Sequence, residues 1–270
     1  MILLKKIANF YINASIHVAL AVYSFVRLTE VYFDIAYNEA LNYFIFYGSI
    51  TGYNFVKYFG IAKFHHRSLT KNLKYIQVFS LLCFLMLCFY AFQLPYRVLL
   101  FISPFGLITL LYAIPFLSGF QKNLRSISYL KIVIVGSVWS GVTVMLPLYS
   151  SNMHVDETVL ILMLQRFLLV VVLILPFDIR DMKFDAISLQ TIPQKIGIER
   201  TKKLGYVLLL LAGLLEFILH NNFGFKNVFL VFFFVTLIFL MRASSSRSKY
   251  YTSFWVESIP IFWFLVIQTI

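Results

Sequence analysis

The sequence predicts an all-α integral membrane protein, a bundle of about nine transmembrane helices. Three observations predict it. Of 270 residues, 61% are hydrophobic, with 30 Phe and 17 Tyr, and 13% are charged, more apolar surface than a water-soluble core can hide. Apolar stretches of spanning length, for which about 20 residues suffice, recur from end to end between short polar segments. The basic residues gather in alternate segments, so the net charge of +12 reads as membrane orientation and not as a nucleic-acid surface.

The predicted spans are 10–28, 39–58, 74–93, 97–117, 129–149, 158–177, 204–220, 225–241 and 252–270. In the first, Asn9, Asn13 and His17 interrupt the apolar run, which argues for an uncleaved span over a signal peptide. These polar groups are expected to face the bundle interior, as interhelical hydrogen-bonding groups or as a cavity lining. The second span ends in Asn54, Lys57 and Tyr58, and a basic segment with Lys63, His65, His66, Arg67 and Lys71 follows. Spans three and four are joined at 93–97 through Pro95, short enough to make them antiparallel neighbours. Cys83 and Cys88, about 140° apart around span three, read as core thiols. Tyr112 closes span four, and Lys122, Arg125 and Lys131 precede span five, whose Gly136, Ser137, Ser140, Gly141 and Thr143 make a face for close packing.

Arg166 in span six and Glu216 in span seven lie at the same expected depth, which predicts a buried pair between them. Glu257 in span nine is read as snorkelling to the interface, with a place at the mouth of a cavity as the alternative. Nineteen of the 23 Lys and Arg fall on one side, which predicts a cytoplasmic amino terminus and an external carboxyl terminus. The expected location is a bacterial inner (plasma) membrane. The long polar segments after spans two and six divide one polytopic domain, 1–270, into two pseudo-repeated four-helix units, roughly 39–150 and 158–270, which helix one precedes or shares.

The chemistry concentrates at 176–197, PFDIRDMKFDAISLQTIPQKIG, where span six leaves the bilayer. Asp178, Asp181 and Asp185 stand at i, i+3 and i+7, on one helix face within about 60°. Clustered carboxylates at a low-dielectric boundary need a cation or hydrogen-bond donors among them. Hard cations such as Mg2+ take oxygen ligands and bridge carboxylates to phosphates, so a phosphate-bearing ligand is one reading. A solvated helix end paired with Arg180 and Lys183 is the other.

The order Asp-x-x-Asp-x-x-x-Asp followed by Thr191, Pro193 and Gly197 resembles the second aspartate-rich motif of the UbiA superfamily of intramembrane prenyltransferases. The resemblance implies a ring of helices around a central cavity, and transfer of a prenyl group from a prenyl diphosphate to a lipid-soluble or aromatic acceptor. It implies Mg2+ as cofactor, with Asp178 and Asp181 as metal ligands and Asp185 as ligand or supporting base. Membrane lipids complete the expected partners, without nucleic acid. The family's first motif, approximately Asn-x-x-x-Asp-x-x-x-Asp, falls on Asn54, but Tyr58 and Ala62 occupy the acidic places. Lys57, Arg67, Tyr112, Arg125 and Lys131 are the candidate diphosphate contacts. Either Lys57 and the basic segment meet the diphosphate directly, or that segment marks topology and touches lipid headgroups. The alternative function is a non-catalytic relative of this fold that binds an isoprenoid or a partner.

Overall fold

A computed structural model describes residues 2–64, 71–114, 124, 127, 130–183, 190–219 and 223–269. Every regular element among them is helical: α1 (Ile2–Asn13), α2 (Ile16–Tyr32), α3 (Glu39–Phe64), α4 (Lys71–Ala91), α5 (Tyr96–Ala113), α6 (Leu130–Ser140), α7 (Leu146–Ser150), α8 (Glu157–Asp181), α9 (Ile192–Ile196), α10 (Ile198–Ile218), α11 (Phe223–Met241) and α12 (Ile259–Ile267). One π-helical turn, Gly141–Met145, joins α6 to α7, and another, Tyr251–Val256, leads into α12.

The helix packings form a ring. α2 packs on α3, α3 on α5, α5 on α6 and α7, α6 on α8, α8 on α10, α10 on α11, α11 on α12, and α12 returns to α2, while α4 lies against α3. Leu168, Leu169, Val172 and Leu175 of α8 form one buried cluster with Ile132 of α6, Leu209 of α10 and Leu240 of α11. A second cluster joins Phe25 of α2 to Phe232 of α11 and Phe264 of α12, with Trp263 stacked on Phe232 at 5.8 Å. The small-residue face of α6 does what its composition predicts. A Cβ on Gly136 would lie 2.8 Å from Phe167, and one on Gly141 would overlap the Phe105 ring, so only glycine admits these aromatic side chains.

Among the described residues, five helices are long and apolar enough to cross a membrane, and six if α1 and α2 count as one broken span. The difference from about nine has a physical cause. Polar groups that interrupt α3 and the first turns of α10 lower their hydropathy, and Asn42, Asn54 and Thr201 among them are buried. The first span is also not one straight helix: α1 and α2 meet at 58°, with Ser15 in the left-handed region at φ 60.

Arg166 and Glu216 act on each other electrostatically, as their shared depth predicts, while their hydrogen bonds run to other groups. Both are buried, but Gln165 Nε2 is the group that donates to Glu216 Oε2, at 2.8 Å, and to Ala212 O at 3.1 Å. Arg166 Nη1 donates instead to Phe25 O at 2.9 Å and Thr143 Oγ1 at 3.2 Å, with its Cζ 4.1 Å over the Phe25 ring. A helix turns about 100° per residue, so residue 165 faces α10 while residue 166 faces α2 and the first π-helical turn.

Candidate active site at one end of the ring

The end of α8 is stitched to its neighbours by cations. Asp178 is 1% exposed and accepts a hydrogen bond from Lys131 Nζ, in the first turn of α6, at 2.5 Å. A carboxylate so placed requires a positive partner, since burial of an uncompensated charge costs several kcal/mol. Two residues on, Arg180 Nε and Nη2 donate to the two oxygens of Asp181, each at 2.6 Å. Its Nη1 also donates to Lys249 O at 3.2 Å, to Ser253 Oγ at 3.1 Å and to the hydroxyl of Thr252. The π-helical turn that carries Thr252 and Ser253 presents both hydroxyls to the guanidinium, a use of irregular helix common at functional sites.

Across the ring, one turn of α3 is made of donors. Asn54 Nδ2 donates to Ala14 O at 3.0 Å and Ser80 Oγ at 2.8 Å, and Tyr58 OH donates to Asn13 O at 2.9 Å. Lys57 Nζ donates to Ser15 Oγ at 3.1 Å and Ile12 O at 3.4 Å. Three successive carbonyls at the break between α1 and α2 thus receive side chains from α3. That satisfies backbone acceptors a membrane interior cannot hydrate. Position 58, acidic in the motif that the sequence resembles, holds a phenol here and serves this break.

Between the two sides lies a set of inward groups. Trp139 Nε1 donates to Tyr53 OH at 2.7 Å, and Tyr112 and Glu257 lie within electrostatic reach of Tyr53. Lys57 and Arg180 in turn act on Glu257. Glu257 does not snorkel outward: its side chain lies within electrostatic reach of Tyr11, Tyr53, Lys57 and Arg180, whereas Trp255, two residues earlier, turns outward and is 52% exposed. Lys57 and Glu257 both keep accessible surface within this ring of helices. A separate open hollow of about 690 Å³ lies at the opposite end, lined by Phe33, Asp34, Tyr37, Asn38, Glu39 and Met153 among others.

The structure thus joins Lys131 to Asp178 and puts Lys57 and Arg180 in electrostatic reach of one another, while Asn54 is turned to α4 and to the start of α2. Tyr112 is buried near Tyr53. Asp185, Arg67 and Arg125 lie outside the described residues. Glu257 and Arg180 join the site without being among the residues that the sequence singles out for it; an acid within an apolar span and an arginine between two aspartates are the available signals. The trailing Thr191, Pro193 and Gly197 form a turn. Thr191 N–H donates to Gln194 Oε1 at 2.9 Å, Pro193 sits in the first turn of α9, and Gly197 at φ +81 takes a conformation that glycine alone adopts without strain.

Asp178 and Asp181 offer the oxygen ligands that Mg2+ prefers, and the buried Asp178 already sits where a positive charge is favoured. In donor chemistry they fit the ion, although among the described residues no three His, Cys, Asp or Glu side chains come together.

No family model matches the sequence, and no curated protein matches it. Among solved structures, the chain is similar in fold to a digeranylgeranylglyceryl phosphate synthase, a prenyltransferase of the UbiA family, with a TM-score of 0.56 and 13% identity over 98% of this chain and 95% of that one. The likeness is one of fold, an all-helical bundle, and the apolar helices of this chain mark an integral membrane protein.

Proposed function

We propose that the protein is an intramembrane prenyltransferase that takes a prenyl diphosphate as donor and a lipid-soluble or aromatic acceptor. The observation that carries this reading is the gathering of Lys57, Lys131 and Arg180 with Asp178, Asp181 and Glu257 at one end of a closed ring of helices. A diphosphate needs fixed cations, and Lys57, Lys131 and Arg180 supply them at this end of the ring. In this reading about nine segments cross the bilayer, the aspartates face the cytoplasm, and the amino terminus lies on the same side.

Lys131 and Arg180 orient the diphosphate as cationic hydrogen-bond donors, and Arg180 brings a planar fork suited to paired phosphate oxygens. Mg2+ held by Asp178 and Asp181 would supply Lewis-acid neutralisation of the leaving diphosphate. Tyr53, Trp139 and Tyr112 present aromatic faces towards which a cationic prenyl carbon is attracted. The packed wall formed by α2, α11 and α12 excludes water from the reacting carbon.

A second reading is favoured by one feature, the use of Asn54, Lys57 and Tyr58 as donors to the α1–α2 break. A chain with half of its acidic ligands replaced in this way can bind an isoprenoid diphosphate without transferring it. Radiolabelled geranylgeranyl diphosphate with Mg2+ and lipid-soluble acceptors separates the two. Transfer that disappears in Asp181→Ala supports the enzyme. Binding without transfer supports the second reading, and no binding of any prenyl diphosphate removes both.

A further inference from the structure

Glu257 differs from the other acids at this end of the ring. Asp178 is held by Lys131 at 2.5 Å and Asp181 by Arg180 at 2.6 Å. Among the described residues, no hydrogen bond or ion pair holds the carboxylate of Glu257, which is half-buried and not sealed. The π-helical turn delivers it there: Glu257 N–H reaches back five residues to Thr252 O at 3.2 Å. The next residue, Ser258, is buried with its hydroxyl 3.1 Å from His17 Nε2, which anchors the segment against α2. The groups within electrostatic reach of the carboxylate are Tyr11 from α1, Tyr53 and Lys57 from α3, and Arg180 from α8, whose Nη1 donates to Ser253 Oγ of the same π-helical turn at 3.1 Å; His17 of α2 meets the neighbouring Ser258 and Phe254, and Lys249 acts on Lys57.

We propose that Glu257 accepts the proton that the acceptor nucleophile loses during prenyl transfer, an inference that rests on the transferase reading. In that reaction the allylic C–O bond breaks and its electron pair leaves with the diphosphate. A bond forms from the nucleophilic oxygen or carbon of the acceptor to the allylic carbon, and the O–H or C–H proton of that atom must pass to a base. Asp178 Oδ1 and both oxygens of Asp181 already accept from cations. Glu257 has an accessible carboxylate that, among the described residues, no hydrogen bond or ion pair commits. Once it is protonated, the positive charge of Lys57 is less compensated, on the side from which the negative diphosphate departs.

The full chain in lipid nanodiscs, with Glu257→Gln and Glu257→Asp, tests this. Geranylgeranyl diphosphate with Mg2+ is the donor, and 4-hydroxybenzoate, glycerol 1-phosphate and water are the probe nucleophiles. Glu257→Gln is expected to bind the donor within about 3-fold of wild type while transfer falls about 100-fold, a size typical of a lost general base. Wild-type transfer is expected to rise with pH through one ionisation that vanishes in Glu257→Gln, and Glu257→Asp to recover part of the rate. A hydrophobic carbodiimide should label Glu257 in the wild type, with donor and Mg2+ giving protection. Transfer by Glu257→Gln at the wild-type rate overturns the inference, as does a loss of donor binding equal to the loss of transfer, or labelling that the donor leaves unchanged. A wild-type protein that binds no donor, or binds it and transfers to none of the three nucleophiles, overturns the transferase reading and this inference with it.

Discussion

The turn of α3 around Asn54 and the end of α8 around Asp178 face the same interior and are built in opposite chemical senses. On α3, Asn54, Lys57 and Tyr58 are donors directed at backbone carbonyls and a hydroxyl of the α1–α2 break. On α8, Asp178 and Asp181 are acceptors neutralised by Lys131 and Arg180. Removing the first set would leave carbonyls without partners inside a bilayer, so it acts as framework. The second set consists of ion pairs in which one cation can be exchanged for another. The contrast teaches that the α8 side, and not Asn54 or Tyr58, is free to respond to a metal.

The largest effect is expected at Asp178. In Asp178→Ala the Lys131 ammonium loses its buried counter-charge, a change that costs about 3–5 kcal/mol, and donor binding falls by about 100-fold or more. Thermal unfolding in detergent and titration with geranylgeranyl diphosphate measure the two. Next comes Asn54→Asp, which replaces two donated hydrogen bonds with a carboxylate facing Ala14 O and should cost about 2–4 kcal/mol. Its Mg2+ affinity, read by calorimetry, should not rise; a rise would erase the difference between the two sides.

Tyr58→Phe leaves Asn13 O without its donor and is expected to lower stability by about 1–2 kcal/mol while donor affinity stays within about 2-fold. The smallest effect belongs to Tyr53→Phe, which removes the acceptor for Trp139 Nε1 and should cost about 1 kcal/mol. A change in the emission of Trp139 would report it.

Much of this arrangement is legible in the residues themselves. Helical class follows from apolar runs, the close contacts of Gly136 and Gly141 follow from their small neighbours, and the Thr191, Pro193 and Gly197 turn is written in local preferences. The break at Ser15 is not, because serine carries no strong bias for the left-handed region and the donors that satisfy the break lie some 40 residues away on α3. The hydrogen-bond partners of Arg166 are also hidden. A helix rotation of one residue decides whether position 165 or 166 meets α10, and the π-helical turn at Gly141–Met145 that offers Thr143 has no sequence signature. The inward direction of Glu257 is hidden for the same reason: the π-helical turn before it sets which way it points.

The most direct test of the account is the Mg2+ dependence of geranylgeranyl diphosphate binding to the wild-type protein, Asp178→Asn and Asn54→Ala, each in nanodiscs. The account predicts Mg2+-dependent binding in the wild type, its loss in Asp178→Asn, and its retention in whatever fraction of Asn54→Ala remains folded. Binding that ignores Mg2+ and survives Asp178→Asn would contradict it.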